Sequence, residues 1–377
     1  MMTPRALPNW LRAAPLGFLG MVVLIAMVEA GLSRHELDFR LPIENQWRFQ
    51  GRESRHQATR AEILCFGDSL VAQGVIPTIL ETRLHRPVYN LGMGGGQFPA
   101  SYFFLRRALE SGAKPSALVI DVLPSQLIIS GRSRIALWAN ILDTGEAIEM
   151  AWNERDPAFL GSFLLTRQFT SIRSILEIRR LILAGLNGSA ISNRDWNRAG
   201  TRNLNRNQGA LILRPFGFFQ IDPRHQHWVY PEELTVDRLN GEYLERFLQL
   251  AESRRIPVFW VLTPVCPAIQ AEGERSGTSE TYARFVREVQ SRHPAITIID
   301  GRRSEYPESV LDDAIHLTYH GAAIFSTDLA QAMAAKLDQK ENESRWVQLP
   351  RYRPETIEFR HEDLAESSQA VTATTRR

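Results

Sequence analysis

The chain has 377 residues, 44% hydrophobic and 23% charged, with a net charge of +2. These values exclude a disordered or collagen-like chain and leave no bulk electrostatic case for a nucleic-acid partner. Only three basic residues are Lys (Lys114, Lys336, Lys340), none of them in a P-loop, and two cysteines, Cys65 and Cys266, are too few for a disulfide scaffold or a four-thiolate zinc site.

Residues 13–28 carry no charge. With their flanks they reach about 20 residues, the length a helix needs to cross a bilayer. Residues 1–32 are read as a transmembrane signal anchor that places the rest of the chain on the extracytoplasmic side. Val28-Glu29-Ala30 leaves a second reading open, a cleaved signal peptide and a secreted body. The polar, Arg-rich stretch 33–60 reads as a stalk.

Short apolar runs bounded by turn residues predict five strands, at 62–66, 87–91, 117–123, 257–262 and 295–299. Between them the pattern predicts helices at 71–84, 100–109, 236–254, 280–291 and 321–337. This alternation implies an α/β fold, a parallel sheet with helices on both faces. Residues 124–235 break the rhythm and read as an insertion, with a helical middle (159–186) and a polar run (187–209). Aromatic residues gather near its end, at Phe216, Phe218, Phe219, Trp228 and Tyr230. Residues 338–377 read as a polar tail, disordered towards its end.

Ser69, in Phe66-Gly67-Asp68-Ser69-Leu70, follows the first strand and opens a helix, where open α/β sheets bind ligands. A Ser hydroxyl becomes a nucleophile when a base, usually His, takes its proton and an acid orients that base. Asp313-Ala-Ile-His316 supplies both groups from the loop between the fifth strand and the last helix, on the same sheet edge. Asp312 is a rival to Asp313, which the spacing favours. His320 reads as a cap or packing residue of the last helix.

Gly67-Asp68-Ser69-Leu70 together with Asp313-x-x-His316 resembles the SGNH (GDSL) hydrolases, over residues 61–337 apart from the insertion. The resemblance implies a three-layer α/β/α domain on a five-stranded parallel, flavodoxin-like sheet. It implies Ser69 as nucleophile, His316 as general base and then acid, and Asp313 as the orienting carboxylate. It also implies an oxyanion hole built from the N–H of Ser69, a Gly after strand two and an Asn after strand three. Asn90-Leu-Gly-Met-Gly-Gly95-Gly matches the second block, with Gly95 the donor by its spacing from Asn90. The third block departs from the pattern: Gly-x-Asn-Asp is absent from Val119-Ile-Asp-Val-Leu-Pro-Ser125, and Ser125 falls near the Asn position. Asp68 and Asn90 are expected to support the site, Asp68 by holding the nucleophile loop.

Membrane-anchored relatives that take part in O-acylating bacterial surface polymers are similar in their weak third block, long insertion and N-terminal anchor. Their fourth strand is also similar in ending like Leu262-Thr-Pro-Val-Cys-Pro267. The expectation is an exported, anchored serine esterase or O-acyltransferase acting on a small acyl ester of a surface glycan. It would need no cofactor and could partner a membrane acyltransferase. Two other readings stand beside it. One is a non-catalytic scaffold binding glycan or a membrane acyltransferase, favoured by the missing Asn and opposed by the intact Ser69, Asp313 and His316. The other is a lipid esterase or lipase. Gly92-x-Gly94 has Gln97 where a dinucleotide fingerprint needs Gly or Ala, and His225-x-His227 lacks an acid at metal-ligand spacing.

Overall fold

The computed structural model describes residues 16–189, 191–215, 229–337 and 344–375. His225, His227, Phe216, Phe218, Phe219 and Trp228 lie outside the described residues. Tyr230 is buried, its hydroxyl donating to Gln270 Oε1 at 2.8 Å.

The apolar N-terminal run forms helix α1 (Leu16–Arg34). Its window Gly17–Arg34 is long and apolar enough to cross a membrane or to serve as a signal sequence, and none of it is buried against the rest of the protein. The stretch read as a stalk is instead folded. It contains helix α2 (Pro42–Glu53), which begins with Pro at a position where the missing N–H costs nothing. Trp47 is fully buried, and its ring meets Trp138 edge to face with centroids 5.1 Å apart. Much of the rest of the buried face of α2 is polar (Glu44, Asn45, Gln46, Gln50), so no apolar period marked it in the sequence.

The sheet consists of β1 (Ile63–Gly67), β2 (Val88–Asn90), β3 (Ala117–Asp121), β4 (Val258–Leu262), β5 (Ile296–Asp300) and β6 (Trp346–Gln348). All strands pair in parallel, in the order β2-β1-β3-β4-β5-β6. The first five coincide with the predicted runs to within two residues. They are buried almost throughout, as strands covered on both faces must be. The sixth strand corrects the expected five. It comes from the tail, pairs Ile298 with Trp346 and Ile299 with Val347, and is a three-residue, half-exposed edge strand too short to leave a pattern.

The predicted helix at 71–84 is two helices, α3 (Ser69–Gly74) and α4 (Pro77–Leu84), separated where Pro77 disfavours helical geometry at Ile76. α5 (Phe98–Glu110) follows β2. The insertion holds α6 (Pro124–Ile128), α7 (Ile135–Ile141), α8 (Thr144–Glu154), α9 (Pro157–Gln168), α10 (Thr170–Arg173), α11 (Ile175–Leu186) and α12 (Arg194–Arg206). α13 (Arg238–Ser253) leads into β4, α14 (Pro267–Ser276) and α15 (Thr278–Arg292) lie between β4 and β5, and α16 (Tyr319–Leu337) precedes β6. α16 packs on α3 and α4, while α13 packs on α5.

The polar run 187–209 holds a helix, and the tail corrects a further expectation. α12 is a helix whose buried face includes Asn197 and Asn203, and it packs on a C-terminal helix, α17 (Leu364–Thr375), where disorder was expected. Amides hold the chain just ahead of α17: Asn203 and, past the end of α12, Asn207 both donate through Nδ2 to the Glu362 carbonyl, at 2.7 and 2.8 Å. The insertion is joined to the core by Arg107 of α5. This buried guanidinium donates through Nε to Glu146 Oε1 of α8 at 2.8 Å and pairs through Nη2 with Glu146 Oε2.

Candidate active site

β1 ends at Gly67, where the backbone has φ +148° and any Cβ would strike the Asp121 carbonyl of β3. Only Gly meets both demands. Asp68 caps α3, and Ser69 is the first helical residue. The Asp68 carboxylate accepts the Leu70 N–H at 2.9 Å on Oδ1 and the Leu123 N–H at 2.8 Å on Oδ2. It therefore ties the Ser69 turn to the turn after β3. Burial pushes the Asp68 carboxyl up to about 6, against the pull of those two N–H groups. Asp121, also fully buried, is pushed up to about 8 by burial and by the charge of Asp68. Its Oδ2 accepts the Thr263 N–H at 3.0 Å and the Thr263 hydroxyl.

Far along the chain, Leu311 and Leu317 form an antiparallel bridge, and the Asp312 N–H donates to the His316 carbonyl at 2.8 Å. In the loop so closed, Asp313 Oδ1 accepts the N–H groups of Ile315 and His316 at 2.9 and 2.8 Å. Asp313 Oδ2 lies 2.7 Å from His316 Nδ1, and His316 Nε2 lies 2.8 Å from Ser69 Oγ. Burial raises the Asp313 carboxyl, but the His316 hydrogen bond and charge and the two N–H groups outweigh it and hold it below the ordinary carboxylate range. The imidazole and carboxylate side chains are 18% and 28% exposed, so the cluster is open to solutes. Asp313, not Asp312, is the carboxylate on the imidazole. His320 is exposed, its ring 4.0 Å from that of Tyr319.

Asn90, at the end of β2, donates to the Val71 and Val75 carbonyls at 2.7 and 2.8 Å and accepts the Gly92 N–H at 2.8 Å. It thus joins α3 to the glycine loop. That loop is also held by α2: Gln46 Oε1 accepts the Gly94 N–H at 2.9 Å, Trp47 Nε1 donates to the Gly94 carbonyl at 2.8 Å, and Gln50 Nε2 donates to the Gly92 carbonyl at 3.1 Å. A trans peptide sets its C=O and N–H in opposite directions. Trp47, by holding the Gly94 carbonyl, sets the direction of the Gly95 N–H. Gly95 itself adopts φ +61°. Among the described residues, neither the Ser69 N–H nor the Gly95 N–H is given to a protein acceptor.

The Gly95 carbonyl accepts from Arg134 Nη1, and Arg134 Nη2 donates to Gln126 Oε1 at 2.7 Å. Arg134 belongs to the insertion, and its charge acts on buried Asp68. Ser125 is the second residue of α6, half-buried, two residues past the Leu123 N–H that Asp68 holds. Gln46, Trp47 and Arg134 were missed in the sequence because they lie in segments read as stalk and insertion, and no local motif marks them. Cys65 and Cys266 are buried free thiols. Among the described residues, no group of three or more His, Cys, Asp or Glu is placed to hold a metal.

No protein-family model matches this chain, and no curated protein matches it.

Proposed function

We propose that the protein is a serine esterase or O-acyltransferase of the SGNH type. The observation that carries this reading is the chain of short contacts from Ser69 Oγ through His316 to Asp313 Oδ2. His316, with Nδ1–H donated to Asp313, presents Nε2 to the Ser69 hydroxyl and takes its proton as Oγ attacks an ester carbonyl. The carbonyl oxygen becomes an oxyanion, which the N–H groups of Ser69 and Gly95 hold. The first N–H groups of a helix have no acceptor within it, so Ser69 has this donor to spare. Each such donor lowers the barrier by about 3 kcal/mol. The proton on His316 then goes to the leaving alkoxide, and the acyl group stays on Ser69 Oγ. Water or a sugar hydroxyl, deprotonated by His316, removes it and restores the serine.

We assign the part of the absent third-block Asn to Ser125, the second residue of α6, while Arg134 holds the Gly95 carbonyl. The acyl group is small, such as acetyl, and its carrier is a surface glycan. α1 is the anchor, with the body on the extracytoplasmic side and a membrane acyltransferase as partner. These last points rest on the resemblance of the motifs and on the apolar length of α1.

The test is hydrolysis of p-nitrophenyl acetate by the full chain in detergent. Ser69→Ala is expected to lower kcat by at least about 10³-fold without changing the circular dichroism spectrum. Equal rates for wild type and variant would remove the enzyme reading and leave the scaffold.

A further inference from the structure

The surface of α1 is uncovered from Gly17 to Val28, and Phe18, Leu19, Leu24 and Met27 each expose more than half of their area. Its C-terminal end is fastened to the insertion. Ser33 Oγ lies 3.3 Å from Thr170 Oγ1, and the Ser171 N–H donates to the Glu29 carboxylate at 3.3 Å. Whatever surrounds α1 therefore borders α10 and α11 as well.

Those two helices present Ile172, Ile175, Leu176, Ile182, Leu183 and Leu186 outward, each between 44% and 79% exposed, and α11 buries none of its residues. Residues 175, 176, 182, 183 and 186 share one face of α11, interrupted by exposed Arg179, and Ile172 precedes them on α10. An apolar stripe of this kind, left in water, works against the hydrophobic effect and marks a surface that meets something apolar. Beside the same junction opens a cavity of about 420 Å³ lined by Arg48, Arg55, Arg167 and Arg173. Only two carboxylates, Glu36 and Asp143, line it with them. Glu36 pairs with Arg48 and Arg173 at 3.0 and 2.6 Å, Asp143 lies 3.4 Å from Arg55, and Arg167 donates to the Leu142 carbonyl at 2.6 Å. Four guanidiniums sharing two carboxylates still leave an excess of positive charge, which suits phosphate-bearing groups.

We infer that α10, α11 and the arginine-lined cavity form a membrane-docking surface. The stripe lies in the interfacial layer of the bilayer that α1 enters, and the guanidiniums meet the phosphates of anionic lipids. The inference rests on α1 being a retained membrane helix. It adds that the body lies down on the lipid rather than standing off it.

The test places the full chain in nanodiscs of phosphatidylcholine and phosphatidylglycerol, with an NBD probe on single introduced cysteines. Buried Cys65 and Cys266 stay unlabelled under native conditions. Leu176→Cys and Leu186→Cys report the stripe, Val23→Cys reports α1, and Glu288→Cys, at an exposed position of α15, is the control. Doxyl-labelled lipid is expected to quench the probes at 23, 176 and 186 by about twofold or more and to spare 288. Omitting phosphatidylglycerol is expected to weaken the quench at 176 and 186. Quenching at 23 with 176 and 186 no different from 288 overturns the docking surface and leaves the anchor standing. A blue-shifted but unquenched probe at 176 does so in favour of a second copy of this chain. No quenching at 23 overturns docking and anchor together. Undiminished quenching at 176 and 186 without anionic lipid overturns the headgroup role of the arginines.

Discussion

Trp47 lies 22 residues before Ser69, and its indole N–H holds the peptide whose other end is the Gly95 N–H. A donor aimed in advance at a developing charge contributes more than one that must turn to find it. Trp47→Phe keeps most of the ring against Trp138 and removes the N–H. It is expected to lower kcat for p-nitrophenyl acetate about tenfold with KM unchanged, as for an interaction felt in the transition state. A raised KM at constant kcat would instead make Trp47 a packing residue. Asp121 offers a separate test, in stability. Its carboxyl is pushed up to about 8 in the fold from an ordinary value of 3.8. A raised carboxyl favours folding fully below its unfolded value, and this advantage is lost as pH rises through the folded value. The native chain therefore loses stability from about pH 4 to about pH 8, and Asp121→Asn removes that loss. The gap in Tm between the variant and wild type should widen in favour of the variant from pH 5 to pH 8.5, read by thermal melts. A gap that stays flat would mean that Asp121 is ionised at little cost.

At the scale of elements, the insertion is joined to the core by a charge. Arg107 of α5 and Glu146 of α8 are almost wholly buried, and Arg107 Nη2 also donates to the Ile141 carbonyl at the end of α7. Removing one partner of a buried pair leaves the other charge desolvated, at a cost of about 3–5 kcal/mol. Glu146→Gln should lower stability by about 3 kcal/mol, measured by urea unfolding, whereas Arg107→Met with Glu146→Leu should lie much nearer to wild type. Elements also show where the sequence was legible. Five strands could be read because parallel strands covered on both faces are nearly continuous apolar runs, such as Val258–Leu262. α2 and α12 could not, because amides do much of the packing that Leu or Val would do elsewhere. Gln46, Gln50, Asn197 and Asn203 are buried, yet a hydropathy pattern counts them as solvent-facing. β6 escaped for another reason: three residues at a sheet edge carry no period.

For the molecule as a whole, the same contrast holds for the candidate site. Ser69, Asp313 and His316 were legible because each sits in a short stretch whose spacing is set by local geometry: the N-cap turn around Asp68, and the closed loop in which Asp313 accepts two backbone N–H groups. Trp47 and Arg134 act on the glycine loop from segments far from it in sequence, a relation that exists only once the chain has folded. The distance along the chain between Ser69 and His316 has its own consequence. During synthesis the hydroxyl emerges early, but the imidazole that would activate it is made only after most of the polypeptide has left the ribosome. An incomplete chain holds Ser69 without its imidazole, and the reactivity proposed for it would arise only once His316 has been made and folded against it.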